Sequence, residues 1–269
     1  MSEAGIRVRV DAPGATVILD RPERLNALTP GMVAELETVL DDLQQEKRVR
    51  AITITGAGRF FSAGTDMKEM AKAMERRDQH GLLEMSVMHG FHEEVKAMQQ
   101  LLELLLRLPK PIIAAVNGPA LGFGAAVVLA CDYVLAGPSA ALGWPETKWG
   151  LAPGLSAPLI RRRLHLAQAT SLLCFGKSVN ADNGFRLGLI DEIVANDLLW
   201  AMAQHKAQEL AGLAPHAIAL TKRLICETID EELFSQLAVG AANTAASRTT
   251  FEAIEGVTAF AQRKAPLNR

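Results

Sequence analysis

Ala51-Ile52-Thr53-Ile54-Thr55-Gly56, followed by Phe61-Ser62-Ala63-Gly64-Thr65-Asp66, is echoed further along by Pro111-Ile112-Ile113-Ala114-Ala115-Val116 running into Asn117-Gly118-Pro119-Ala120-Leu121-Gly122-Phe123-Gly124. Each begins as a short apolar run of strand character and ends in a glycine-punctuated loop. An apolar helical pattern, Gly122 to Ala130, follows the second, and a longer one, His89 to Leu108, precedes it. Tyr133-Val134-Leu135-Ala136, stopped by Gly137-Pro138, predicts a third strand. The chain therefore predicts an α/β fold of repeated ββα-like units.

Outward from this centre, Arg7–Val10 and Ala15–Leu19 flank the turn signal Asp11-Ala12-Pro13-Gly14 and predict a hairpin. Thr29 before Pro30 marks a helix start, and Val33, Leu36, Leu40 and Leu43 share the face of a helix running to about Gln45, which should pack on a sheet. From Leu198 the chain is helical in pattern, broken at Pro215 and closing near Pro266. Residues 1–195 are expected to form the core, with 196–269 a helical carboxy-terminal region. Met67 to Glu84, charged and Met-rich, suits either a segment covering a site or a solvated helix.

The 269 residues can bury a full core. A net charge of −2 gives no general attraction to nucleic acid or to anionic membrane, and no apolar window approaches the ~20 residues of a bilayer span. Met1 to Val10 lacks the apolar stretch of a secretory signal. Cys131, Cys174 and Cys226 lie in apolar surroundings and read as reduced core thiols, so a cytoplasmic location is expected. No metal site is evident.

Chemistry enters through the glycines. The Thr65 N–H after Gly64, and the Phe123 N–H at the first turn of a helix after Gly122, can both address one anionic oxygen, as an enolate formed from a thioester requires. Two ordinary β–α turns fit the pattern equally well. A third segment, Gly143-Trp144-Pro145-Glu146 followed by Gly150-Leu151-Ala152-Pro153-Gly154, brings one carboxylate into a loop.

These segments, with Leu25-Asn26-Ala27-Leu28, Met67-Lys68-Glu69-Met70, Cys131-Asp132 and the Gly184 to Ile193 stretch, resemble the signature segments of the crotonase superfamily, the enoyl-CoA hydratase/isomerase family, in order and spacing from residue 15 to about 195. The resemblance implies a crotonase-like spiral of ββα repeats with a helical trimerisation region, forming trimers or hexamers. It also implies a coenzyme A thioester as substrate, with no further cofactor. Thr65 and Phe123 match the oxyanion-hole positions. Leu25, Ala27, Ala63, Asp66, Met67 and Lys68 fall in segments that are similar to those meeting the substrate's coenzyme A portion.

The departures bear on the reaction. Two-carboxylate hydratases of the family carry a Glu where this chain has Ala126, and their other Glu corresponds to Glu146. One carboxylate is similar to the Δ3,Δ2-enoyl-CoA isomerase pattern, in which a single Glu moves a proton. Gly154 stands where a dienoyl-CoA isomerase has a further acid. Phe123 between glycines is similar to carboxymethylproline synthase-like members, and Trp149 to Gly154 resembles feruloyl-CoA hydratase-like members, so hydration stays open. An assembly partner without catalysis is a more remote reading.

Further candidates are His89 and His92, which either reach the acyl pocket or sit on a surface, and Trp144 and Trp149, which either wall that pocket or pack between subunits. Asp66 suits loop ordering and Asp132 a structural role.

Overall fold

The structure is a computed structural model that describes residues 5–80, 82–229 and 232–264; the expectations for Met1 to Ala4 and for Pro266 fall outside them. The elements in order are β1 (Ile6–Asp11), β2 (Gly14–Leu19), α1 (Pro30–Gln45), β3 (Ala51–Gly56), α2 (Met67–Met74), α3 (Met85–Arg107), β4 (Ile112–Val116), β5 (Pro119–Leu121), α4 (Phe123–Ala130), β6 (Tyr133–Ala136) and β7 (Ala141–Gly143). After a 3₁₀ turn at Pro145–Trp149 come α5 (Ser156–Arg161), α6 (Leu166–Cys174), β8 (Ser178–Asn180), α7 (Ala181–Leu187), β9 (Glu192–Ile193), α8 (Leu199–Ala211), α9 (Pro215–Leu224), α10 (Leu233–Ser247) and α11 (Phe251–Ala261).

The main sheet runs β1-β2-β3-β4-β6-β9, and only the β1–β2 hairpin is antiparallel. Alternation along β4 explains why its sequence is a continuous apolar run: Ile112, Ala114 and Val116 enter the main core, whereas Ile113 and Ala115 meet Leu135 and, from α8, Leu199 and Ala203. Both faces are thus covered. A second sheet, β5-β7-β8, lies where the sequence reads as loop. Its strands are only three residues long, too short to carry an alternating pattern.

The repeat becomes visible once this second sheet is included. β4–β5–α4 and β6–β7 followed by α5 are successive ββα units, and β3 with an isolated bridge between Ser62 and Ala120, then α2, is a third. That bridge joins the two glycine segments in parallel, through Ser62 N–H to Pro119 O (3.2 Å) and Leu121 N–H to Ser62 O (2.8 Å).

The α1 helix starts where Thr29 and Pro30 predict it: the Thr29 hydroxyl accepts from Met32 N–H at 3.2 Å, and Met32, Val33, Leu36, Leu40 and Leu43 are buried. Its principal neighbour is α3, with β1 a lesser one, so it packs mainly on a helix rather than on a sheet. The α3 helix begins at Met85, a turn before His89, because Val87 and Phe91 are buried in a small core with Met70, Ala71 and Met74 of α2 and Ala253 and Val257 of α11. The segment from Met67 therefore opens as an amphipathic helix with Met70 and Met74 buried, not as a solvated one. The later helices pack into the body of the fold: α10 lies on α3 and α5, and α11 on α2 and the Pro145–Trp149 turn. Of the cysteines, Cys131 and Cys226 are buried as expected, but Cys174, at the last position of α6, is exposed.

Candidate active site

Three segments meet at one cavity of about 240 Å³, whose walls are largely apolar. The first is Leu25–Leu28. Leu25 and Asn26 both have positive φ (54° each), a conformation that, glycine apart, Asn tolerates better than most residues. Asn26 is wholly buried and binds in both directions: Nδ2 donates to Ala57 O and Phe60 O at 2.8 Å each, and Oδ1 accepts from Arg21 N–H at 3.0 Å. Ser62 Oγ donates to Asn26 O (2.8 Å) and accepts from Gly64 N–H (3.1 Å), so the first glycine loop is pinned on both sides.

Pairing of this loop with Leu28 decides where Thr65 points. Leu28 N–H donates to Gly64 O (2.7 Å) and Asp66 N–H to Leu28 O (3.1 Å), which turns the intervening Thr65 N–H to the opposite side. Thr65 lines the cavity, and its N–H has no acceptor among the described residues. The Phe123 N–H, at the first position of α4, is likewise without an intrachain acceptor, as helix geometry requires. Gly64 has φ +87°, and a side chain built there would place its Cβ 2.6 Å from Leu121 O and 3.3 Å from Phe123 N. The two donors thus flank a space that only a glycine at 64 leaves open.

Glu146 adjoins that space. At Gly122 (φ +52°, ψ −121°) a Cβ would sit 3.1 Å from Glu146 Oε1, so the carboxylate lies against the turn that presents Phe123. Glu146 Oε2 is buried with no hydrogen-bond partner among the described residues, and burial pushes the Glu146 carboxyl up to about 7. Among the described residues, Glu146 is the only carboxylate in the cavity wall. Ala126, in α4, is fully buried within the main core. Gly154 lines the cavity but has no room for an acid, since its Cβ would fall 2.2 Å from Gly240 O and 2.6 Å from Thr244 Oγ1.

The remaining sequence candidates divide. Leu25, Ala63, Met67 and Trp149 line the cavity with Thr65, Phe123 and Glu146, and Trp149 stacks edge-on to Phe260 with ring centroids 5.1 Å apart. Trp144 does not: it is completely buried in the main core, because the turn that aims Glu146 at the cavity sends the preceding residue the other way. His89 and His92 are exposed on α3 and stay out of the cavity, since the buried stripe of that helix is carried by Val87, Phe91 and Val95. Asp66 orders the loop: its Oδ1 accepts from Lys68 N–H (3.1 Å) and Glu69 N–H (3.3 Å), and Oδ2 pairs with Arg21 at 3.3 Å. Asp66, Ala27 and the exposed Lys68 lie outside the cavity wall. Asp132 holds structure, accepting from Ile112 N–H (2.7 Å) and pairing with Lys222 (2.6 Å).

Sequence reading missed the wall built by α3 and α10. Met98, Thr244 and Arg248 line the cavity there, together with Ser156 at the start of α5 and Phe260 of α11. Nothing in their local sequence marks them, since they come from elements that read as plain amphipathic helices.

The profile of the enoyl-CoA hydratase/isomerase family matches residues 13–268, nearly the whole chain. The chain belongs to the enoyl-CoA hydratase/isomerase family. It is 34% identical over 255 residues to a Thermus thermophilus protein provisionally assigned as an enoyl-CoA hydratase, covering 94% of this chain and 96% of that one. It is also 31% identical over 252 residues to the 1,2-epoxyphenylacetyl-CoA isomerase of Escherichia coli, covering 93% of each. A solved enoyl-CoA hydratase from Mycobacterium avium subsp. paratuberculosis superposes with a TM-score of 0.83 at 26% identity, covering 99% of both chains. The fold is thus crotonase-like, and an enzyme acting on acyl-CoA thioesters fits this family. Among the described residues no helix is long and apolar enough to cross a membrane, and no cluster of side chains suited to a metal ion occurs.

Proposed function

We propose that this enoyl-CoA hydratase/isomerase family enzyme moves a double bond within an enoyl-CoA, using Glu146 as its single base. The observation that carries the reading is the lone carboxylate in an apolar wall, raised to about 7 and set beside two free backbone donors. In the reaction, Glu146 removes a proton from the carbon between the thioester and the double bond of a 3-enoyl-CoA. The electron pair passes to the thioester oxygen, where Thr65 N–H and Phe123 N–H bind the negative charge, aided by the start of α4. Return of the proton to the γ-carbon yields the 2-enoyl-CoA, and Glu146 is again a carboxylate.

The test uses two substrates in deuterated water. The enzyme should convert 3-hexenoyl-CoA to 2-hexenoyl-CoA faster than it hydrates 2-hexenoyl-CoA. A 3-hydroxyacyl product from the latter with no isomerisation of the former contradicts this reading. Hydration is the second reading, favoured by the names of the Thermus and Mycobacterium proteins. It needs another polar group to help place water, and the cavity offers the hydroxyls of Thr65, Ser156 and Thr244.

A pH dependence follows with a definite sign. Glu146 must be ionised to accept the proton, so kcat/KM should rise with pH through an apparent pKa near 7 rather than near the usual carboxylate value. For stability the sign is reversed: the folded-state pKa is raised, so the protonated form is the compatible one. The Glu146 contribution should be fully present below its unfolded pKa and be lost, up to about 3 kcal/mol, as pH rises to and through 7. Urea unfolding of wild type and Glu146→Gln at pH 5 and pH 8 checks this: the variant should gain on wild type at pH 8. We further propose a cytoplasmic enzyme assembled as a homotrimer or hexamer through its 196–269 region.

A further inference from the structure

The cavity wall contains a cation that the proposed chemistry does not use. Arg248 is only 2% exposed, yet among the described residues its hydrogen bonds engage just two groups: Nη1 donates to Glu94 Oε2 at 2.7 Å, and Nη2 meets Met98 Sδ at 3.6 Å. The guanidinium carbon also stands 5.7 Å from the Phe91 ring centroid. A guanidinium has five N–H donors, and a thioether sulfur is a weak acceptor, so these contacts leave hydrogen-bonding capacity unspent. Arg248, Met98 and Thr244 lie side by side in the wall, and Arg248 is the only cation there among the described residues. Burying a guanidinium for packing alone is costly, whereas a ligand oxygen would complete it.

Charge decides which oxygen fits. Glu94 already neutralises Arg248, and the same cavity holds Glu146. A second full negative charge would have no counter-ion in a largely apolar space. We propose that the acyl group of the substrate carries a neutral hydrogen-bond-accepting oxygen, such as a ketone, which Arg248 receives. This deepens the thioester reading above and rests on it, but not on the choice between isomerisation and hydration.

Calorimetric binding of saturated CoA esters tests it, because these ligands cannot undergo either reaction. Against hexanoyl-CoA, at least one of 4-oxohexanoyl- and 5-oxohexanoyl-CoA should bind about 10-fold tighter, the scale of a hydrogen bond to a charged group, and adipyl-CoA should bind less tightly than that analogue. Arg248→Met should bring the oxo-to-alkyl ratio close to one, with Arg248→Lys intermediate. Glu94→Gln should shift the preference toward adipyl-CoA. Equal or tighter binding of hexanoyl-CoA by the wild-type enzyme overturns the proposal, as does a wild-type preference for adipyl-CoA over both oxo analogues. Should none of the four esters bind, the thioester reading falls with it. The wild-type comparison decides even if a variant fails to fold.

Discussion

Replacing Glu146 with Gln is expected to lower kcat at least ~10²-fold while leaving the affinity for an unreactive CoA ester nearly unchanged, the pattern for loss of a positioned acid–base group. The substitution keeps the shape of the side chain and removes its basicity. No other carboxylate among the described cavity residues can take over. The residual rate of the variant should be flat across pH, because the group whose ionisation shapes the wild-type profile near 7 is gone, so the fold-loss should grow as pH rises through 7. The folded state should tolerate the change well, since Glu146 Oε2 is buried without a partner and its charge is the unfavourable feature. Full turnover in this variant would remove Glu146 from the mechanism.

Gly64→Ala is expected to cost ~10²–10³-fold in kcat, the scale of losing one oxyanion donor. The added Cβ meets backbone on its close side, Leu121 O at 2.6 Å and Phe123 N at 3.3 Å. That backbone cannot retreat freely: Leu121 N–H is held by Ser62 O and Gly122 N–H by Gly143 O, both at 2.8 Å. Relief must therefore come from moving Thr65 away from Phe123, which separates the donors. A left-handed φ of +87° adds backbone strain, so about 1–3 kcal/mol of stability should be lost as well. Steady-state kinetics with a thermal unfolding control separates the two effects. A folded Gly64→Ala variant with wild-type kcat would show that the two N–H groups do not act together.

The sequence made the parallel strands legible because they are buried on both faces and therefore continuous in apolar character, as β4 shows. It made the donors legible because each requires a glycine beside it, and Gly64 and Gly122 both have positive φ. The second sheet was hidden by the brevity of its strands, and Trp144 was misplaced because adjacency to Glu146 in sequence says nothing about which side of a 3₁₀ turn each residue occupies. For His89 and His92 the surface alternative holds, for a related reason: helix phase, not distance along the chain, sets what reaches the cavity, and the buried phase belongs to Val87 and Phe91. Arg248 and Thr244 come from the carboxy-terminal helices and meet the cavity only through long-range packing of α10 on α3 and α5. The expected boundary near residue 195 thus divides the sequence but not the site. Asn26 sat within a recognised segment, yet its role as the buried tie between Arg21, Ala57 and Phe60 needed coordinates.

The most direct measurement is a crystal structure with a saturated acyl-CoA bound. The thioester oxygen should lie about 2.7–3.1 Å from both Thr65 N and Phe123 N, with the Glu146 carboxylate facing the adjacent carbon. An ordered ester whose carbonyl points away from either amide, or whose α-carbon is out of reach of Glu146, would contradict the account.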